Sequence, residues 1–198
     1  MVNDYGIKLE GITVTGYSGN YKELYDGEKL LGTKQILFNG SDFERKGGNR
    51  VLAAFKKVKQ VISQVGLVII GKKINVQEDG IDNPVSISAS ELCNLFLKTD
   101  LVVSPALCDP FPPFLIEALN YGVPCVVSAN DGMPEIIDNE VNSVVINQPT
   151  PDLLAEKIIK LLSNSSLLEA MSSKAREKVR TKFNWSNIAK SIFQTLSN

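Results

Sequence analysis

Three charged side chains stand where short apolar runs give way to loops, and they are the residues of this chain best suited to chemistry. Lys46 lies in the loop Gly40-Ser41-Asp42-Phe43-Glu44-Arg45-Lys46-Gly47-Gly48; Asp109 and Glu117 are separated by seven residues. A lysine offers a point charge to a phosphate, and carboxylates accept hydrogen bonds strongly from ribose and hexose hydroxyls. A fourth stretch, Gly132-Met133-Pro134-Glu135-Ile136-Ile137, reads as a turn entering a short helix, where a glycine allows close backbone approach to a ligand. The chain has no histidine, which removes imidazole triads, imidazole bases and His-rich metal sites together. Catalysis must fall to carboxylates, lysines or a partner. Taken singly, each stretch also suits an ordinary solvated loop, surface acid pair or turn.

The elements that must position these residues alternate as βαβ units building a parallel sheet. Residues 36–39 read as a strand, and Val51, Leu52, Phe55, Val58 and Ile62 recur at helical spacing after the loop. Residues 67–70, ended by Gly71, form a second buried strand; residues 85–87 form a weaker third, followed by a helix over about 90–98. A strand at 101–103 follows Asp100. Pro113 suits the first turn of a helix running to about Tyr121 and stopped by Gly122, which puts Asp109 in a loop and Glu117 one turn into that helix. Strands begin at 124–127 and 144–146, and Thr150-Pro151 caps a helix carrying Leu153, Leu154, Ile158, Leu161 and Leu162. Helices over about 166–183 and 185–196 close the chain. Weak strand alternation appears near 12–15.

At 198 residues with 43% hydrophobic content, the chain can bury one substantial core. Lys plus Arg total 21 against 22 Asp plus Glu, so nothing points to nucleic acid as a partner. Cys93, Cys108 and Cys125 lack CxxC spacing and sit among apolar residues; they read as reduced core residues, which favours the cytoplasm. The apolar runs fall far short of the ~20 residues of a membrane span. The basic stretch Lys174, Arg176, Lys178, Arg180 and Lys182 reads as a solvated helix face in preference to a surface for anionic lipid head groups, so membrane docking is not indicated.

In their order and spacing these motifs resemble the carboxy-terminal domain of GT-B glycosyltransferases, family 4 in particular. The resemblance rests on the Gly40, Lys46 and Gly47 loop, on Ser104-Pro105 ending a strand, and on the acid-x7-acid pair. It continues through Glu117-Ala118-Leu119, Gly122-Val123-Pro124, Gly132-x-Pro134-Glu135 and Phe183-Asn184-Trp185, covering about residues 36–195. It implies an α/β fold, a Rossmann-like parallel sheet flanked by helices, forming one half of a GT-B fold. The implied activity is retaining transfer from a nucleoside-diphosphate sugar, UDP-sugar by default, with no metal required. Lys46 and Gly40 would then meet the diphosphate, Glu117 the ribose, the backbone near Ile87 and Ser88 the base, and Asp109 the hexose or reaction centre; Phe111 would join the donor-binding set.

Three departures stand out. Ser41 replaces the usual arginine, which Arg45 is placed to replace in turn, and Asp109 replaces a glutamate. Pro112 replaces a glycine and is followed by Pro113, so two backbone donors are lost. Each missing donor costs on the order of 1–3 kcal/mol of binding. The resemblance also implies that residues 1–34 are a lead-in from a missing amino-terminal, acceptor-binding half or partner subunit, with 35–198 the donor domain. Apolar surface is expected around Trp185, where that half would pack. Two other readings compete: a degenerate nucleotide-sugar-binding or regulatory module without turnover, and a flavodoxin-like partner-binding domain.

Overall fold

The computed structural model describes residue 6 and residues 8–197 of the protein. Its regular elements begin with a 3-10 turn at Leu9–Gly11. They continue as β1 (Gln35–Asn39), α1 (Gly48–Val61), β2 (Gly66–Ile70), β3 (Ile81–Asp82), α2 (Ala89–Lys98), β4 (Leu101–Ser104) and α3 (Pro113–Asn120). The second half comprises β5 (Cys125–Ser128), α4 (Met133–Ile136), β6 (Val144–Ile146), α5 (Pro151–Leu162), α6 (Ser165–Lys182) and α7 (Trp185–Leu196). The six strands form one sheet in the order β3-β2-β1-β4-β5-β6, and every pairing is parallel.

Strand periodicity builds two cores from one sheet. Ile36 and Phe38 of β1, Leu67 and Ile69 of β2, and Leu101 and Val103 of β4 face one way, packing on Val51, Phe55 and Val58 of α1 and Leu154, Ile158 and Leu161 of α5. The alternate residues Leu37, Val68, Ile70, Val102 and Val127 face the other way, onto Phe96 of α2, Leu115 and Leu119 of α3, and Ala175 and Val179 of α6. A strand covered on both faces must be apolar at consecutive positions, which is why these strands read as unbroken hydrophobic runs.

Residues 17–34 form no strand or helix but dock on the α2, α3 and α6 face. Lys29 Nζ donates to the Phe96 and Thr99 carbonyls at the end of α2 (2.9 and 2.6 Å), and the buried Asp100 carboxylate accepts from Gly32 and Lys34 amides. Tyr25 sits between the Tyr121 ring (4.9 Å between centroids) and the Arg176 guanidinium (5.5 Å).

Several expectations are corrected. Residues 85–87 are not a strand; the edge strand is Ile81–Asp82, because β3 pairs only with β2 and the following residues are drawn toward the cap of α2. Residues 12–15 are not extended partners of any strand. Of the cysteines only Cys125 is core; Cys93 is half-buried and Cys108 exposed, since Cys108 lies in a loop beyond the strand that its apolar neighbours suggested. The basic stretch on α6 is not one solvated face. Lys178 is buried, 2.6 Å from Asp138, and Arg176 reaches the Gly27 carbonyl, because α6 is covered by residues 25–27 and by the loop after α4.

Only Ile188 of α7 is buried, while Trp185, Ile192, Phe193 and Leu196 leave an apolar stripe in solvent. Among the described residues, no helix is long and apolar enough to cross a membrane.

Candidate functional site

Chain order reverses between β1 and β4, which are neighbours at the centre of the sheet. In an open parallel sheet this reversal leaves a crevice at the carboxyl ends of the strands, because the connections on either side run to opposite flanks. The loops after β1, β4 and β5 meet there.

The β1 loop is held tightly. Gly40 N–H donates to the Ile70 carbonyl (2.8 Å), and Gly47 caps α1 in a left-handed conformation, φ +80°. A Cβ at Gly47 would stand 2.4 Å from the Pro105 carbonyl oxygen, so only glycine lets the β1 and β4 loops approach this closely. Leu107 N–H donates to the Arg45 carbonyl (2.8 Å), which ties the two loops together. The consequence is an ion pair across the crevice: Lys46 Nζ lies 3.6 Å from Asp109 Oδ2.

Arg45 borders the same carboxylate at 3.9 Å but is engaged by Asp42 (2.7 Å) and by the Cys108 carbonyl. Asp42 is held below the usual carboxylate range by its hydrogen bond from Arg45. Ser41 stays in the turn, its amide bonded to the Asn39 side chain.

Sequence reasoning missed how Asp109 is oriented. Its amide donates to Asp131 Oδ2 (2.8 Å), while Ser128 Oγ and Asn130 Nδ2 both donate to the Ala106 carbonyl (2.6 and 2.8 Å). The β5 loop thus braces the β4 loop from behind. Gly132 belongs to the brace, since a Cβ there would overlap the Pro110 carbonyl oxygen at 2.0 Å. The acidity of Asp131 next to Gly132 was the available signal. Asp131 also pushes the Cys108 thiol up by hydrogen bonding to its protonated form, which keeps it a poor nucleophile.

Glu117 occupies the first turns of α3, on the rim of a separate groove of about 530 Å³. The groove runs between residues 20–26 and α2, over Phe96 and Tyr121, with Ala89, Ser90 and Cys93 on its far side. Lys46 and Asp109 lie outside this groove. Asn20 N–H donates to Glu117 Oε1 (3.0 Å), a contact across 97 residues that left no trace in the sequence.

Ser88 serves as the N-cap of α2. Its hydroxyl accepts from the Glu91 amide, and its own N–H donates to Glu91 Oε2 (2.6 Å), completing a capping box. The Ser88 N–H is therefore spent within the helix end, while Ile87 packs half-buried beside it. Phe111 is held edge-on between Tyr17 (6.0 Å between centroids) and Phe183 (6.4 Å). Pro112 caps α3 without a side-chain hydrogen bond, and Pro113 fills its first position, so this helix begins without the two amides that other residues would supply. Among the described residues, no three or more His, Cys, Asp and Glu side chains gather as a metal ligand set.

The family model described as glycosyl transferases group 1 matches residues 22–178. An uncharacterized glycosyltransferase of Methanocaldococcus jannaschii is 32% identical over 168 residues, covering 79% of this chain and 43% of that protein. The 2-deoxystreptamine N-acetyl-D-glucosaminyltransferase of Niallia circulans is 26% identical over 171 residues, covering 78% and 43%. Among solved structures, Anabaena HepE in complex with UDP and glucose superposes with a TM-score of 0.72 at 19% identity, covering 85% of this chain and 49% of that one. S. aureus TarM in a UDP complex gives 0.79 at 18%, covering 90% and 38%. The chain spans about half the length of the curated relatives it matches.

Proposed function

Because this chain belongs to the group 1 glycosyl transferases and has a GT-B Rossmann-like fold, we propose that it binds the nucleoside-diphosphate sugar for retaining transfer, as the donor domain of a family 4 type enzyme. Residues 35–198 form the donor domain in this reading, and the acceptor is held by an amino-terminal half or partner subunit beyond this chain. The observation that carries it is the convergence of Lys46 and Asp109 at the chain reversal, with Glu117 on the rim of a nucleoside-sized groove.

Each group has a distinct task. Lys46 and the loop that begins at Gly40 meet the diphosphate, and the lysine neutralises the charge that develops on it as the glycosyl–phosphate bond breaks. Asp109 accepts from a hexose hydroxyl and faces the reaction centre. Glu117 accepts from the ribose hydroxyls, and the base lies in the groove on the Ala89 side, toward the backbone of Ile87 and Ser88, while Phe111 joins the donor-binding set. In this reading no metal is required, because Lys46 supplies the positive charge. UDP is the favoured nucleotide, in keeping with the UDP complexes of the similar HepE and TarM folds.

A second reading is favoured by one observation: α3 starts with Pro112-Pro113 and so lacks two donors at the site. In that case the chain is a nucleotide-sugar-binding or regulatory module without turnover. The flavodoxin-like alternative loses its footing with membership of this family.

Calorimetric titration with UDP, GDP and ADP in EDTA, followed by their sugar conjugates, tests the donor site. Selective binding of one nucleotide, weakened tenfold or more in Glu117→Ala, supports it; no binding of any, or equal binding by the variant, overturns it. Joined to an acceptor half, a transferase shows sugar transfer that Asp109→Asn abolishes, whereas the module reading predicts binding without transfer or donor hydrolysis.

A further inference from the structure

The Gly19-Asn20 turn is unusually constrained for a stretch outside any helix or strand. Ser18 is fully buried, and its hydroxyl and that of Tyr21 both donate to the Phe183 carbonyl, where α6 ends. Trp185 Nε1–H at the start of α7 donates to the Gly19 carbonyl (3.3 Å), and Tyr17 packs edge-on against the Trp185 ring (5.7 Å between centroids). These contacts fix the direction of the next amide, Asn20 N–H, which lies 3.0 Å from Glu117 Oε1. Position 19 admits no side chain, because a Cβ there would stand 2.8 Å from the Tyr21 ring and 3.0 Å from Glu117 Cγ.

From this geometry we infer that the Gly19-Asn20 turn, braced by the α6–α7 junction, is a positioning element for the Glu117 carboxylate: it occupies Oε1 and presents Oε2 to a ribose diol. The inference rests on the donor-site reading, in which Glu117 holds the ribose. Physically, a carboxylate on a free side chain must be immobilised when a diol binds, and that ordering opposes binding. An amide already bonded to one oxygen removes the rotamer search beforehand. The donor to Glu117 is the Asn20 backbone N–H, so this contact does not depend on the residue-20 side chain, whereas position 19 requires glycine.

The test compares UDP with 2′,3′-dideoxyuridine diphosphate on the full chain by calorimetry. Gly19→Ala is expected to weaken UDP about fivefold or more, the scale of one misplaced charge-assisted hydrogen bond, with little change for the dideoxy nucleotide. Trp185→Phe keeps an aromatic ring but removes the N–H, and is expected to weaken UDP about twofold to threefold with the same selectivity for the diol. Added to Glu117→Gln, Gly19→Ala should have no further effect.

Equal weakening of both nucleotides in the Gly19 and Trp185 variants would reveal a structural role and overturn the inference. So would unchanged UDP affinity in both, provided Glu117→Gln still loses the preference for the diol. If Glu117→Gln itself leaves that preference intact, or the unaltered chain binds neither nucleotide, the donor-site reading fails first, and the positioning role with it.

Discussion

Lys46 and Asp109 face each other across the crevice at 3.6 Å, with side chains only 13% and 12% exposed. Their pairing makes the two residues opponents in nucleotide binding, because the lysine cannot serve the carboxylate and a diphosphate equally well. Asp109→Asn is expected to tighten UDP binding about twofold to tenfold by freeing the ammonium, whereas Lys46→Ala weakens it tenfold or more. Titration at two salt concentrations checks both; unchanged affinity in Lys46→Ala would remove the lysine from the site.

The approach of the β1 and β4 loops depends on Gly47. With φ at +80° and the Pro105 carbonyl oxygen 2.4 Å from where a Cβ would sit, Gly47→Ala meets both backbone strain and overlap. A loss of at least about 2 kcal/mol in urea unfolding is expected, together with weaker UDP binding as Lys46 is displaced. An unchanged midpoint would mean that the loops part at no cost.

Lys29 supplies a pH dependence. Burial against the end of α2 lowers its pKa to about 8, from a usual 10.5, despite the nearby Asp100 carboxylate. The folded chain therefore binds fewer protons than the unfolded chain between those values, so this group's contribution to stability increases as pH rises from about 8 to 10.5. The penalty for the buried charge is fully present below pH 8. Urea unfolding at pH 7.5, 9 and 10.5 should show the parent gaining on Lys29→Met across the window, and a constant gap would show that the ammonium is not penalised by burial.

The two sides of α7 should behave oppositely. Ile188 is 4% exposed, and Ile188→Ala is expected to cost about 2–4 kcal/mol. Phe193 and Leu196 are 72% and 82% exposed, so Phe193→Ser with Leu196→Ser should change stability by less than about 0.5 kcal/mol. Thermal or urea unfolding distinguishes them, and a large loss in the double serine variant would mean that the stripe packs on this chain.

The sequence by itself determined the sheet, most of the helices and which loops carry the chemistry, because each of these is written in a local code. Apolar runs of four or five mark strands covered on both faces, the spacing of Val51, Phe55 and Val58 marks a helix against them, and Gly47 and Pro113 mark where helices start. The edge strand escaped that code. Val85-Ser86-Ile87 is more apolar than Ile81–Asp82, yet the shorter run forms β3 because one neighbouring strand is all an edge requires.

What the tertiary structure decided is which loops meet. Nothing near Asp109 in the chain announces that Asp131 will hold its amide, or that Lys46 will stand opposite it; strand order alone brings them together. The same holds for Asn20 and Glu117, 97 residues apart. Residue types and short-range periodicity fix what a segment can become, whereas contacts between distant loops depend on how the whole core packs, and that information is spread over every strand and helix that builds it.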